Sequence, residues 1–361
     1  MRNLLSIDGG GIRGFYALQI LQRVEQLLRE KLQRPGLVLA DYFDYMGGTS
    51  TGAVIAAMLS WGRSVAEVID LYRQHTRIIF GTPDYLHIHR SIFSATEFSE
   101  ALKKLLSEDG EGRQPALLGT ARLRTRYLCV MRNATTGSSW VVTNARGAKF
   151  NDPALPDCNL NIPLYQLVRA SSAVPFFFPP ESIGAGDGKW VFLDGCMTPY
   201  TNPAFLMYLT ATLPCYGDPW PDGCENMRLI SVGTGRYRAR LPKEQARQVH
   251  LLDQAEHLLP AIIDSGCVHQ DLTCRAVGRC LFGEPLDMEV DNLVHAAGEA
   301  TGAHDRFLYC RYNHEFTAAE LEELPPAKRI ARMDDLEMIP FYLRKGEEFA
   351  NACVKAEHLT G

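Results

Sequence analysis

The hydrophobic pattern near the start of the chain predicts a strand followed by a helix. The run LLSID, residues 4–8, is short and apolar, as buried strands are. From residue 12 apolar residues recur every three or four positions, which predicts an amphipathic helix that ends before the RPG of residues 34–36. The apolar stripe consists of Ala17, Leu21, Val24 and Leu28, whereas Glu25 is among the polar residues off the stripe.

Short strands and helices continue to alternate along the chain. A strand around FDYMGG (43–48) precedes a small-residue helix, GAVIAAMLSW (52–61), and a longer helix at 65–80. Residues 126–144 predict two strands joined by a turn. The stretch 161–180 predicts a helix begun by Pro163 and stopped by Pro175. Further strands are expected in KWVFLDG (189–195) and MRLISVGTG (227–235), and the chain after about residue 243 reads as mostly helical.

Three capping boxes mark predicted helix starts, because a Ser or Thr three residues before a Glu can satisfy two free N–H groups. They are Ser64 with Glu67, Ser94 with Glu97, and Thr317 with Glu320.

This alternation predicts an α/β fold of three layers with a central, mostly parallel sheet. We expect a catalytic domain at 1–240, with a helical C-terminal extension at 241–361 packed on it as a candidate regulatory region.

Composition narrows the class of protein. The 361 residues are 46% hydrophobic and 22% charged, as in soluble globular proteins, and the net charge of −5 disfavours general nucleic-acid binding. The ten cysteines contain no CxxC pair, and the N-terminus lacks a signal-peptide pattern. The longest apolar run is about half a membrane span. We therefore expect a cytoplasmic protein with reduced thiols.

The C-terminal region contains four residues of types that commonly bind zinc. Cys267, His269, Cys274 and Cys280 lie close in sequence, but their spacing fits no common zinc pattern. We favour structural roles for them and expect no metal.

The pentapeptide GTSTG, residues 48–52, has the form of a nucleophile elbow. Gly48 and Gly52 flank Ser50 between a predicted strand and a predicted helix, where a strained turn exposes the serine hydroxyl. The following helix directs its N-terminal dipole at the site.

A second glycine-rich turn, DGGGIRG, follows the first strand and allows three readings. Gly9-x-Gly11-x-x-Gly14 fits the dinucleotide fingerprint, but no second strand ends in an acidic residue about 20 positions later. Alternatively, the N–H groups of Gly9, Gly10 and Gly11 form an oxyanion hole, which Arg13 supports. The turn could also be purely structural.

A serine nucleophile needs a base. None of the ten histidines lies in an obvious loop after a strand; His87 and His89 come nearest. Asp194 does end a predicted strand, and a dry pocket would raise its pKa. The Asp194–Gly195 pair could equally form an ordinary turn.

Together these motifs resemble the patatin-like phospholipases, which use a Ser–Asp dyad without histidine. The order GGGxRG, GxSxG and DG is supported by DYFDYMGGTSTG, RASSAVPFFFPP, FLDGCMTPYTNPA and LISVGTG, over residues 4 to about 235. The resemblance implies Ser50 as nucleophile, Asp194 as base, and Gly9, Gly10 and Gly11 as oxyanion donors with Arg13.

The implied reaction is phospholipase A-type hydrolysis of an acyl lipid. The family usually has DGG or DGA where this chain has Asp194-Gly195-Cys196, a small thiol that we expect to be tolerated. The phenylalanines of AVPFFFPP could line an acyl channel, form a membrane-contacting lip or simply pack in the core.

The region from about residue 243, with VHQDLTCRAVGRC (268–280) and YCRYNHEF (309–316), resembles a bacterial subgroup of anti-phage phospholipases that a cyclic dinucleotide from a partner cyclase activates. The resemblance implies that the substrate is membrane phospholipid and that the protein acts peripherally at the inner membrane. It implies no cofactor other than the cyclic dinucleotide, and it allows a homo-oligomer. Arg275 and Arg279 would share one helix face and could bind phosphates, or could be a solvated face. The alternatives are a constitutive lipid acyl hydrolase, a non-catalytic lipid-binding or storage protein, and a dinucleotide-dependent oxidoreductase.

Overall fold

The computed structural model describes residues 1–80, 91–184, 189–237, 251–294, 305–325 and 334–360, and a mixed β-sheet lies at its centre. The strands of these ranges are β1 (Arg2–Ile7), β2 (Tyr45–Thr49), β3 (Arg126–Asn133), β4 (Ser138–Thr143), β5 (Glu181–Ile183), β6 (Trp190–Asp194), β7 (Met227–Val232), β8 (Arg279–Phe282) and β9 (Leu308–Tyr312). Their order is β5-β6-β3-β2-β1-β7-β9-β8, and β4 pairs with β3.

Most neighbours in this sheet are parallel. The pairs from β3 through β2, β1, β7 and β9 to β8 are all parallel, whereas β3–β4, β3–β6 and β5–β6 are antiparallel. Leu5 of β1 lies between Met46 of β2 and Ile230 of β7. The predicted mostly parallel sheet is confirmed.

Helices cover both faces of the sheet and complete the predicted three layers. On β1, Leu5 belongs to one buried core, and its neighbour Leu4 belongs to a second buried core on the other face of the sheet. This alternation follows from the two-residue period of a strand. The helices are α1 (Gly14–Lys31), α2 (Thr51–Ser60), α3 (Val65–Phe80), α4 (Ala95–Leu105), α5 (Leu164–Ser171), α6 (Ala204–Thr212), α7 (Leu251–Val277), α8 (Ala318–Glu322), α9 (Ile339–Cys353) and α10 (Glu357–Thr360).

The stripe predicted for α1 is fully buried, but one polar neighbour is buried as well. Glu25 is 3% exposed, where its Oε2 accepts from the N–H of Val65 at 3.1 Å and its Oε1 pairs with Arg29 at 2.6 Å. The carboxylate therefore holds the start of α3 against α1, a contact between helices that the pattern of α1 does not reveal.

Two of the three predicted capping boxes form. Thr317 and Glu320 cap α8 reciprocally, and Ser64 and Glu67 exchange hydrogen bonds at the start of α3. The prediction for Ser94 is wrong, because its side chain makes no capping hydrogen bond although it occupies the N-cap of α4.

The predicted helix of residues 161–180 is shorter than expected. Pro163 is the N-cap of α5, as its position suggested, but the helix ends at Ser171 rather than at Pro175. The carbonyl of Ala173 accepts instead from the N–H of Asp194 at 3.0 Å, so β6 takes a hydrogen bond that a longer helix would have used.

The described residues after position 240 contain the helices α7, α8, α9 and α10, but also two strands that the sequence pattern missed. β8 and β9 have only four and five residues, and β9 pairs with β7 in the central sheet. The division at residue 240 stays a proposal, since strands on both sides of it share one sheet. Nowhere in the described ranges is a helix both long and apolar enough to cross a bilayer.

Candidate active site

The elbow places Ser50 between β2 and α2. Its backbone has φ 54° and ψ −126°, a strained conformation for a residue with a side chain. A Cβ on Gly52 would lie 2.1 Å from the carbonyl oxygen of Ile7, and one on Gly48 would lie 2.2 Å from the carbonyl carbon of Gly52. Only glycine fits at either position, so both elbow glycines have a steric reason.

The hydroxyl of Ser50 meets the carboxylate of Asp194 directly. Ser50 Oγ donates to Asp194 Oδ2 at 2.7 Å, and Asp194 Oδ1 accepts from the N–H of Cys196 at 2.7 Å. Within the described ranges, Asp194 is the hydrogen-bond partner of that hydroxyl. The two residues, 144 positions apart, therefore have the contact that a nucleophile and its base require. His87 and His89 lie outside the described residues.

Burial makes the Asp194 carboxylate a stronger base, because it raises the pKa of this group. Asp194 is fully buried, and desolvation raises its pKa to about 6, against the opposing effects of the Cys196 and Ser50 hydrogen bonds and the Arg169 charge. The thiol of Cys196 has its pKa raised by burial, so it stays neutral beside the carboxylate. Cys196 stands where the family usually has Gly or Ala, and it supplies its backbone N–H to Asp194.

Asp194 reaches Ser50 by a route that the sequence argument did not foresee. β6 is antiparallel to β3, with Asp194 opposite Met131, whereas β2 is parallel to β3. Asp194 therefore comes from the opposite chain direction and still ends at the level of the elbow.

Sequence reasoning missed two residues that support the dyad. The N–H of Ser50 donates to Ser171 Oγ at 2.8 Å, and Ser171 Oγ donates to the carbonyl of Val130 at 2.6 Å, which fixes the elbow to β3. Arg169 is fully buried two residues earlier, and its Nη2 donates to the carbonyl of Pro179 at 3.0 Å. The available signal was the polar content of RASS within an apolar helix.

Arg169 is a buried cation beside the site. Its guanidinium lies 5.3 Å from the ring of Phe98 and 5.2 Å from that of Phe178. Nε and Nη1 have no hydrogen-bond partner among the described atoms, and burial lowers the Arg169 pKa to about 10. Its charge helps to keep Asp194 ionised.

The glycine loop fits an oxyanion hole in part. The prediction for Gly9 is wrong in this conformation, because its N–H donates to the carbonyl of Thr201 at 3.0 Å. The hydrogen bonds of the described residues include none from the N–H groups of Gly10 or Gly11. Gly11 has φ 58°, and its carbonyl accepts from Thr51 Oγ1 at 2.9 Å and Tyr72 OH at 2.7 Å. Two hydroxyls therefore hold the loop beside Ser50.

Arg13 contacts the loop through carbonyl groups. Its Nε donates to the oxygen of Gly10 at 3.3 Å and its Nη1 to that of Gly235 at 2.9 Å. The side chain therefore connects the glycine loop to the segment that follows β7.

An apolar pocket of about 690 Å³, including its mouth, opens at Ser50. It extends between α2, α3, α4 and the segment after α5, and Phe177 and Phe178 are part of its wall. Phe176 is instead 74% exposed, with φ 72°. The phenylalanine run thus contributes both to the pocket and to the surface. Other lining side chains are Val54, Met58, Ile79, Phe98, Leu102 and Leu105.

The predicted phosphate-binding pair is separated. Arg275 lies in the last turn of α7, whereas Arg279 starts β8, so they do not share a helix face. Arg275 pairs with Asp271 through Nε at 2.9 Å and Nη2 at 2.7 Å, and Arg279 pairs with Asp305. The helix ends at Val277 between them, which the sequence spacing concealed. Across the described ranges, no group of three His, Cys, Asp or Glu side chains could hold a metal ion.

Comparison with known proteins gives a consistent picture. Residues 5–207 match the family model described as patatin-like phospholipase. The chain is 30% identical to Patatin-T5 of Solanum tuberosum over 254 residues, covering 65% of this chain and 61% of that protein. It is 29% identical to the cUMP-AMP-activated phospholipase of Escherichia coli over 237 residues, covering 65% of each chain. It is 25% identical to the cGAMP-activated phospholipase of Vibrio cholerae over 243 residues, covering 64% and 63% respectively. The chain thus covers less than two thirds of each relative's length.

Proposed function

The chain belongs to the patatin-like phospholipase family, and from this premise we propose that it is a serine acyl-lipid hydrolase of the phospholipase A type. The observation that carries the proposal is the 2.7 Å hydrogen bond from Ser50 Oγ to the buried Asp194 carboxylate, beside a glycine loop and at the end of an apolar pocket. Acyl transfer needs each of these parts: a nucleophile, a base, an anion site and a place for the acyl chain.

The proposed chemistry begins with a bound ester whose acyl chain occupies the apolar pocket. Ser50 Oγ attacks the ester carbonyl while Asp194 takes the hydroxyl proton. The N–H groups of Gly10 and Gly11 stabilise the oxyanion, and Arg13 holds that loop through the Gly10 carbonyl. The leaving alcohol takes the proton from Asp194, and the acyl group remains on Ser50. Asp194 then deprotonates a water, which attacks the acyl carbonyl. The bond from the acyl carbon to Ser50 Oγ breaks, Asp194 returns the proton to Ser50 Oγ, and the fatty acid leaves.

The finer part of the proposal is control by a cyclic dinucleotide. Two bacterial relatives carry cUMP-AMP or cGAMP activation in their names, and their identity to this chain is similar to that of the potato patatins. We infer that a cyclic dinucleotide from a partner cyclase switches on hydrolysis of membrane phospholipid in anti-phage defence. The protein would act at the inner face of the cell membrane. A constitutive lipid acyl hydrolase is the second candidate, which the patatin matches favour.

Fatty-acid release from phospholipid vesicles tests both parts. We expect release by the full chain to rise when cUMP-AMP or cGAMP is added, and Ser50→Ala or Asp194→Asn to abolish it. Ser60→Ala is the matched control, because Ser60 is a buried serine at the far end of α2. Unchanged release with every nucleotide would favour the constitutive enzyme. Full activity of folded Ser50→Ala would contradict the dyad.

A further inference from the structure

A second pocket lies on the other side of the glycine loop. It measures about 1050 Å³ with its mouth, against about 690 Å³ for the apolar pocket. Gly11 and Ser50 line the apolar pocket, whereas Asp8 and Gly9 line the second. The loop that we assign to oxyanion binding is therefore the wall between two pockets, and a ligand in the second would press on that wall.

The second pocket is rich in charge, and several of its charges are already paired. Four arginines and five carboxylates are among its described lining residues. Arg311 bonds to both oxygens of Asp8, through Nη1 at 2.8 Å and Nη2 at 2.5 Å, and also to Ser231 Oγ at 2.8 Å. Arg275 bonds to Asp271 and to the carbonyls of Glu284 and Asn292. These two arginines are structural.

The other two arginines keep donors for a ligand. Arg236 uses Nε and Nη2 for Asp264, at 2.6 and 2.8 Å, and its Nη1 is 3.7 Å from Glu315, too far for a hydrogen bond. Arg13 uses Nε and Nη1, which leaves Nη2 without an acceptor in the described part of the chain. Thr201 also lines the pocket, and its Oγ1 has no described partner although the residue is 3% exposed. Unused donors in a concave site point to an anionic ligand.

The same residues connect the pocket to the glycine loop. Arg13 bridges the carbonyls of Gly10 and Gly235, and Thr234 Oγ1 donates to the carbonyl of Gly9 at 3.0 Å. A ligand at Arg13 and Arg236 thus contacts both segments that set the position of the loop. If it binds one loop arrangement more tightly than another, it shifts the population of that arrangement and hence the oxyanion site.

We propose that the second pocket binds a phosphodiester, and that this ligand is the activating cyclic dinucleotide. The inference rests on the proposed function. Guanidinium groups pair with phosphodiester oxygens. The carboxylate oxygens of Asp264 each accept one hydrogen bond from Arg236 and keep a second lone pair that can accept from the amino group of a nucleobase. A phospholipid headgroup carries the same phosphodiester but no base amino group, so the two sources are separated by experiment.

Binding is measured on the full chain carrying Ser50→Ala, so that no substrate is consumed. The probes for isothermal titration are cUMP-AMP, cGAMP and glycerophosphoglycerol, the last standing for a lipid headgroup. Arg236→Gln is added to this background as the pocket variant, with Arg279→Gln as the matched control. Arg279 is an arginine of the same region, paired with Asp305 and absent from the pocket lining.

We expect at least one nucleotide to bind, Arg236→Gln to weaken its binding about tenfold or more, and Arg279→Gln to change it less than about twofold. If Arg236→Gln does not fold, as judged by circular dichroism melting, Ile263→Trp replaces it. Ile263 is a half-buried residue of the pocket wall, and the larger ring is expected to fill the pocket and prevent binding.

Three results would overturn the inference: no nucleotide binding, equal effects of the two arginine variants, or Arg236-dependent binding of glycerophosphoglycerol alone. The last would make the pocket a headgroup site. The test is separate from that of the hydrolase, because it reads binding in a protein that lacks the nucleophile. Nucleotide binding with no lipid hydrolysis by the wild type would remove the proposed function and leave the pocket assignment in place.

Discussion

The buried carboxylate of Asp194 makes stability depend on pH, and Asp194→Asn should remove that dependence. Burial raises the Asp194 pKa from 3.8 to about 6. Between these values the folded protein holds a proton that the unfolded chain releases. The contribution of this proton to stability is therefore fully present below about pH 3.8 and is lost as the pH rises through about 6.

The size of the effect follows from the distance between the pH and the folded pKa. At pH 5, about one unit below that pKa, proton binding contributes about 1.4 kcal/mol to the free energy of unfolding relative to pH 8. Asparagine has the same shape and can still accept from the N–H of Cys196, but it carries no charge. We expect Asp194→Asn to be more stable than wild type at pH 8, and this advantage to shrink by about 1.4 kcal/mol at pH 5.

Urea unfolding of both proteins at pH 5 and pH 8 measures the difference. Groups that titrate alike in the two proteins cancel when the variant is compared with wild type at each pH. Asp152→Asn, at an exposed position, is the control and should show no such change. An advantage of Asp194→Asn that is equal at the two pH values would refute the burial argument, because it would mean that the carboxyl is not protonated near pH 6.

Three further predictions concern activity and the elbow. With a soluble ester as substrate, kcat/KM should rise with pH through about 6 as Asp194 ionises. Arg169→Met should move the midpoint of this rise to higher pH, because the Arg169 charge lowers the Asp194 pKa. A midpoint that is unchanged in the variant would contradict this role of Arg169. Gly48→Ala should abolish both activity and the yield of folded protein, because its Cβ would collide with the backbone of Gly52. Gly36→Ala is the control and should preserve both, because its Cβ would meet nothing within 4 Å. A soluble, active Gly48→Ala variant would disprove the steric argument. Phe176→Asn, which suits the positive φ, should lower the ratio of vesicle to soluble-ester hydrolysis if the exposed ring contacts lipid; an unchanged ratio would exclude that contact.

Much of the architecture could be predicted because it depends on local pattern. The strand at residues 4–8, the helices of 52–61 and 65–80 and the hairpin of 126–144 all form within a few residues of their predicted bounds. Each has a continuous hydrophobic period, a turn or a capping residue, and these are properties of neighbouring residues. The strands β8 and β9 were missed because they lie in a region whose pattern predicts mostly helix, and they form by pairing in the sheet, β9 with β7 and β8 with β9.

In the candidate site, too, the features that depend on local motifs could be predicted, whereas those that depend on distant contacts could not. Glycine motifs and the DG turn identified Ser50, Asp194 and the loop, since close backbone approach requires residues without side chains. The glycine motif could not reveal that the Gly9 N–H donates to the carbonyl of Thr201. Thr201 lies about 190 residues further along the chain, and only folding brings it close to Gly9.

The sequence by itself therefore determined most of the elements, the elbow and the two residues that we propose as nucleophile and base. Only the tertiary structure decided the 2.7 Å contact between them, the burial that raises the Asp194 pKa, and the support from Arg169 and Ser171. The physical reason is that secondary structure and turns depend on short-range sterics, whereas hydrogen-bond partners and desolvation depend on which distant segments pack together.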